Sequence, residues 1–171
     1  MDRRERLNSQ NSNNKQKLLL KDNKKIILWV IVNLEVWDAN LAQPRNILPP
    51  PMGIPMLPDL PNWSWHEYGM RIGFWRLLKT LKERKICSTL ALNATVVDYY
   101  PETVKAAMEE NWEPMGHGYI QRPMHKVENE FVDIKSAINK IEDFTNTKVI
   151  GWESPGLTET LDTLDILSDN G

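Results

Sequence analysis

Trp112-Glu113-Pro114-Met115-Gly116-His117-Gly118-Tyr119-Ile120-Gln121-Arg122-Pro123-Met124-His125 decides how the chain is read. Two of the chain's three histidines lie in it, after a short apolar run and before a long helical pattern. Glycines on both sides of His117 let the backbone turn sharply and leave the imidazole facing open space. A strand that ends in Gly-His-Gly and passes through a loop into a helix is where an α/β protein places a ligand or a catalytic group. Taken alone, a histidine between turn glycines is more often an ordinary loop residue. The chemical reading draws its weight from residues elsewhere in the chain.

Upstream, residues 26–32 form a continuous apolar run rich in β-branched side chains, the pattern of a strand buried on both faces of a parallel sheet. The run enters Asn33-Leu34-Glu35-Val36-Trp37-Asp38, where polar and apolar residues alternate, so Asn33 and Glu35 point the same way. Carboxylates at the carboxyl end of such a strand stand where α/β folds keep their chemistry. The plainer alternative is that Glu35 and Asp38 solvate a loop. Residues 41–61 carry most of the prolines and predict a long extended excursion, neither helix nor strand, placed to cover a pocket. Ser64 suits the cap of a helix beginning near Glu67. In that helix Phe74, Leu77, Leu78 and Leu81 form a buried stripe, and Phe74 and Trp75 read as core. Glu67 and Arg71 are spaced for a salt bridge on one helix face.

Three more strand–helix pairs follow. Residues 86–93 make a second strand ending in Asn93, with a helix over 100–111. Residues 112–116 make a third, leading to His117 and a helix over 127–145 that carries Phe131, Ile134, Ile138 and Ile141 on one face. Residues 148–152 make a fourth, ending in Glu153, before a last helix over 160–170. Four alternations argue for an α/β fold of parallel βα units with right-handed crossovers, an incomplete (β/α) barrel. A half barrel leaves parallel edges unpaired. The expectation is therefore a truncated chain, or one that completes itself by pairing, as in a homo-oligomer.

Composition narrows the function classes. Lys and Arg number 21 against 23 Asp and Glu, a formal charge of −2, so no basic field points to nucleic acid. The single cysteine, Cys87, cannot form an internal disulfide. The longest apolar run is too short to span a bilayer and no signal-peptide pattern precedes it. The expected setting is cytoplasmic, with no membrane partner. Residues 1–25, rich in Asn, Gln, Lys and Arg, read as a polar disordered tail, and residues 26–171 as the folded domain.

Asn33, Glu35, Asp38, Asn93, His117, Gln121, His125 and Glu153 all fall at or just beyond strand ends, which parallel strands bring to one mouth. A carboxylate and a histidine there have two uses. They hold a divalent metal such as zinc, which polarises a carbonyl and activates water. Or they act without metal, Glu35 as base and His117 as acid toward a leaving nitrogen. Glu35 and His117 are the candidate metal ligands, but the residue one helical turn after His117 is Gln121, a poor ligand. Trp63, beside the proline-rich loop, either lines a sugar- or ring-binding wall or pins the loop.

The segments Val32-Asn33-Leu34-Glu35, Glu67-Tyr68-Gly69-Met70-Arg71-Ile72-Gly73-Phe74-Trp75-Arg76, Ala91-Leu92-Asn93, Met115-Gly116-His117-Gly118-Tyr119 and Gly151-Trp152-Glu153-Ser154-Pro155-Gly156-Leu157 resemble the polysaccharide deacetylase (NodB-homology) family. They are most similar to its branch of cofactor-free allantoinases. The resemblance implies a distorted (β/α) barrel, of which this chain covers the first half or somewhat more. It implies a hydrolase of carbon–nitrogen bonds other than peptide bonds, acting on a sugar acetamide, a cyclic amide or another small amide. In metal-dependent members an aspartate pair and two histidines form the metal site. Here the pair is matched by Asn33 and Glu35, the first histidine by His117, and the second by Gln121. Glu153 stands where the family has an arginine that orients the base. These departures favour Glu35 and His117 as the catalytic pair without metal, with Asn33, Asp38, Trp63, Asn93, Gln121, His125 and Glu153 as substrate-binding candidates. A binding module that keeps the fold but not the activity is the alternative of a different class.

Overall fold

The computed structural model describes residues 19–41, 43 and 47–171. Residues 1–18 of the expected tail, and residues 42 and 44–46 of the proline-rich excursion, lie outside the described residues. Lys21–Asn23, the next part of the tail, make an exposed 3₁₀ turn.

Three strands form one parallel sheet in the order β1 (Ile31–Leu34), β2 (Thr89–Leu92), β3 (Glu113–Gly116). The register aligns Leu34 with Leu92, and Leu92 with Gly116. Strand β2 is flanked on both sides, and all four of its residues are buried, as a central parallel strand requires. Leu90 and Leu92 join Val104, Ala107, Ile134 and Ile141 in the fully buried core beneath the helices.

Helix α1 (Leu60–Tyr68) starts earlier than the Ser64 cap predicts. Asp59 caps it by accepting from the Asn62 backbone N–H at 3.2 Å, and Pro61 fits its first turn, where a missing N–H costs nothing. Ser64 instead lies inside the helix and donates its hydroxyl to the Leu60 carbonyl at 2.7 Å. A π turn over Gly69–Gly73 carries α1 without a break into α2 (Phe74–Glu83). The excursion over 41–61 thus ends in a helix, and it also holds a 3₁₀ turn at Pro51–Gly53. Phe74 and Leu81 are buried, but Leu77 and Trp75 are exposed, so the stripe is narrower than expected.

After β2 come a short α3 (Val96–Tyr99) and α4 (Pro101–Glu109), with Pro101 at the first helical position. After β3 come a 3₁₀ turn (Met124–Lys126) and α5 (Glu130–Thr145), capped by Asn129, whose side chain accepts from the Val132 N–H at 3.1 Å. Ile134 and Ile141 of α5 are buried; Phe131 is exposed. A 3₁₀ turn (Pro155–Leu157) and α6 (Thr163–Asn170) complete the described chain.

Two strand expectations change. Of the apolar run over 26–32, only the last two residues enter β1; Ile26 is 81 % exposed and Trp29 63 %. Pairing with β2 starts where Thr89 N–H reaches the Val30 carbonyl, so the residues before Val30 run past the end of their neighbour. The expected fourth strand reduces to a single parallel bridge between Gly116 and Trp152. Gly116 N–H donates to Gly151 O at 3.0 Å, while Glu113 and His117 N–H face β2 through Ser88 O and Leu92 O. Even-numbered N–H groups of β3 therefore face the outer side, and at residue 114 that group is a proline nitrogen with nothing to donate. The outer ladder cannot extend back past Gly116.

Candidate active site

The register builds the site. Since Leu34, Leu92 and Gly116 are aligned, the next residues, Glu35, Asn93 and His117, stand side by side at the carboxyl ends of the strands. Glu153 follows Trp152, the residue bridged to Gly116, and its N–H donates to Gly116 O at 2.9 Å. Residues far apart in the chain meet because parallel strands end together.

The glycines around His117 are required for different reasons. A β-carbon at 116 would lie 2.4 Å from the Trp152 ring, so Gly116 is the space that ring occupies. Gly118 has φ +78° and lies against Pro155, a turn conformation that a side chain would strain. The turn does not leave the imidazole in open space. His117 is 2 % exposed and held at both nitrogens. Nδ1 lies 2.6 Å from the Glu153 carbonyl oxygen, and Nε2 lies 3.2 Å from Glu35 Oε1. A carbonyl only accepts, so Nδ1 carries hydrogen. Nε2 then faces a carboxylate, and that contact is a hydrogen bond only with a second proton between them.

Glu35 is the most heavily donated carboxylate in the site. Oε1 accepts from His117 and from Gln121 Nε2 at 3.2 Å, and Oε2 accepts from Trp37 Nε1 at 2.9 Å. Burial by itself pushes its pKa up. Hydrogen bonds from His117 and Trp37, with the charges of His117 and His66, outweigh that and hold it below the ordinary carboxylate value. Glu153 approaches the other side of the ring, with Oε2 3.7 Å from His117 Nδ1 and accepting Asn33 Nδ2 at 2.9 Å.

Asn93 is fully buried, and its side-chain atoms are used within the protein. Oδ1 accepts from Val36 N–H at 3.0 Å, while Nδ2 donates to Gln121 Oε1 at 2.9 Å and to the His117 carbonyl. It ties the loops after β1 and β3 together, and no surface of it faces a substrate, contrary to the expectation for this residue. Gln121, fixed by Asn93, is thereby aimed at Glu35.

Glu35 itself, with Asn33, Trp37 and His66, lines a cavity of about 470 Å³. A larger cavity of about 1030 Å³, lined by Trp37, Asp38, Trp63, Gln121, Arg122 and Tyr100 among others, reaches the cluster through Trp37 and Gln121, which bond to Glu35. Asp38 lines it, yet Oδ1 also caps its own loop by accepting from Asn40 N–H at 2.8 Å. Trp63 has both expected uses: it lines the cavity and donates Nε1 to the Trp37 carbonyl at 3.0 Å. Glu67 also faces the cavity, bound to Arg71 Nε at 2.8 Å and to the Tyr100 hydroxyl. His125 is not brought in; it sits exposed on the Met124–Lys126 turn.

Two contributors escaped the sequence reading. Trp37 supplies the N–H on Glu35 Oε2, and His66 stacks on Trp37 with ring centroids 5.3 Å apart and planes at 25°. Burial holds His66 below the ordinary histidine pKa against the opposing field of Glu35, and its Nε2 is buried without a hydrogen-bond partner among the described residues. An aromatic two residues after a strand-end carboxylate was the available signal for Trp37. His66 carried no signal of its own.

A divalent metal does not fit this donor set. His117 Nε2 and Glu35 supply one imidazole and one carboxylate, and the next group at Glu35 is the Gln121 amide, which turns an N–H and not a lone pair toward Oε1. Among the described residues no group of three or more His, Cys, Asp or Glu side chains is arranged to hold a metal. Among the described residues, too, no helix is long and apolar enough to cross a membrane.

Residues 66–171 match the family model for polysaccharide deacetylase. A solved structure of a probable polysaccharide deacetylase from Pseudomonas aeruginosa PAO1 is similar at 28 % identity and TM-score 0.61, over 70 % of this chain and 39 % of that one. The PuuE allantoinase structure is similar at 27 % identity and TM-score 0.59, over 64 % of this chain and 36 % of the other. A CE4 family pseudoenzyme from Bacillus anthracis shares the fold at 18 % identity and TM-score 0.57, over 83 % and 40 %. The chain spans about two-fifths of the length of these structures. No curated protein matches it.

Proposed function

We propose, because this chain belongs to the polysaccharide deacetylase family, that its strand-end cluster hydrolyses a carbon–nitrogen bond of a non-peptide amide. The observation that carries the reading is the contact between Glu35 Oε1 and His117 Nε2 at 3.2 Å, with Glu35 itself lining a cavity of about 470 Å³. Water attacks the amide carbon, the carbonyl electron pair moves to oxygen, and collapse breaks the C–N bond. The proton between Nε2 and Oε1 goes to the leaving nitrogen, which makes His117 the acid. One of the carboxylates flanking the ring, Glu35 or Glu153, takes the proton from water. Trp63 and Trp37 offer aromatic faces for a sugar or planar ring.

A second reading is ring opening of a cyclic amide. It is favoured by Gln121, which turns an amide N–H toward Glu35 where a metal site needs another ligand. Acetate release from N-acetylglucosamine oligomers and ring opening of allantoin, each measured with and without chelator, separate the two. Activity in the wild-type chain that disappears in Glu35→Ala and His117→Ala supports hydrolysis. Equal inertness of all three supports a binding module that keeps the fold alone.

A further inference from the structure

We infer that Glu153, and not Glu35, is the base that takes the proton from the attacking water; this rests on the amide-hydrolysis reading above. The two carboxylates flank the same imidazole but differ in how many of their lone pairs are taken. A carboxylate offers about four acceptor sites. Three N–H donors occupy those of Glu35: His117 Nε2, Gln121 Nε2 and Trp37 Nε1. Each donor stabilises the ionised form and weakens it as a base. A proton taken there must also compete with the one it already shares with His117.

Glu153 is differently placed. Its Oε2 takes one donor, the Asn33 side-chain amide at 2.9 Å, and among the described residues no hydrogen bond reaches Oε1. The side chain is 25 % exposed, so it is in part open to solvent. Its own backbone carbonyl, 2.6 Å from His117 Nδ1, holds the ring and so couples the base to the acid through one residue. Asn33 aims the carboxylate and leaves the second oxygen open.

The step balances as follows. Glu153 Oε1 takes one proton of water as the water oxygen bonds to the amide carbon, and the carbonyl pair becomes an oxyanion. Its collapse breaks the C–N bond, and the nitrogen takes the Nε2 proton of His117. Glu153 ends protonated and His117 neutral, and exchange with solvent restores both.

The test compares Glu153→Gln and Glu35→Gln on an N-acetylglucosamine oligomer and on 4-nitrophenyl acetate, whose leaving group needs no proton. Glutamine keeps the acceptor for Asn33 but cannot take a proton. Expected for Glu153→Gln is a loss of kcat of about 10²–10⁴-fold on both substrates, with KM nearly unchanged. Expected for Glu35→Gln is a larger loss of kcat on the amide than on the ester, because the ester needs no proton from the His117–Glu35 contact. Full activity of Glu153→Gln on both, with loss of both in Glu35→Gln, would overturn the inference and leave the hydrolase reading standing. Inertness of the wild-type chain on both would remove the reading and the inference together. With three histidines in the chain, ring ¹⁵N spectra report whether the site is intact. If Glu153→Gln disturbs the His117 signals, Asn33→Ala decides: it leaves the carboxylate in place but unaimed. A matching kcat loss on both substrates then supports the inference, and full retention refutes it.

Discussion

Glu35 and His117 are separated by 82 positions in the chain, yet Oε1 of one lies 3.2 Å from Nε2 of the other. The contact follows from register. Leu34 and Gly116 both align with Leu92 in the middle strand, so the residue after each strand end emerges at one level. Asn93, emerging between them, is wholly buried and bonds to the loops on both sides, and it transmits the spacing of the strands to the pair.

The acid stability of the fold should record the Glu35 environment. Its folded pKa lies below the ordinary value of 4.5, so its contribution is fully present above that value and disappears as pH falls through the folded one. The difference in Tm between wild type and Glu35→Gln should therefore shrink as pH drops below 4.5. A difference that holds constant through that window would contradict the assignment.

Trp37→Phe keeps the ring stacked on His66 but deletes the N–H that Glu35 Oε2 accepts. With one fewer donor to its ionised form, Glu35 should titrate at higher pH than in the wild type. Carboxyl ¹³C NMR of the two proteins measures this. An unchanged titration would mean that the indole does not hold the carboxylate.

Gly116→Ala places a methyl group 2.4 Å from the Trp152 ring, and the ring cannot move away while Glu153 N–H holds to Gly116 O. A destabilisation of about 1–3 kcal/mol is expected, as for overpacking. It should be largely relieved in a Trp152→Leu background. Urea denaturation of the single and double variants checks both parts.

Pro114→Ala supplies an N–H on the outer side of β3, two residues before the Gly116 N–H that donates to Gly151 O. The outer ladder should then gain a bond toward the Val149 carbonyl. Hydrogen exchange would show a protected amide at position 114. Fast exchange there would mean that something other than the missing donor keeps residues 148–150 out of the sheet.

Chelator should leave any C–N hydrolase activity unchanged, because beside Glu35 the Gln121 amide turns an N–H rather than a metal-binding lone pair toward the carboxylate. Activity lost on chelation and restored by added zinc would contradict this and place a metal between His117 Nε2 and Glu35.

Much of this was readable from local pattern. The buried run of β2, the Asn93 at its end, the Gly-His-Gly after β3 and the apolar stripe of α5 each declare themselves within a few residues, because burial on one or two faces imposes a period. The placement of Glu35, His117 and Glu153 at strand ends followed from the same periods. The exposed Ile26–Trp29 stretch did not, since whether an apolar run is buried depends on how far the neighbouring strand extends. Trp37 and His66 were passed over because an aromatic beside a helix or loop reads as packing.

Element type and order, and the clustering of polar groups at one end of the sheet, were thus already encoded in single segments of the chain. Which carboxylate binds which imidazole nitrogen, which oxygen remains open, and where the sheet stops were not. Those depend on register and on the side toward which each backbone N–H points, as Pro114 shows. Both are relations between segments, and no segment contains them alone.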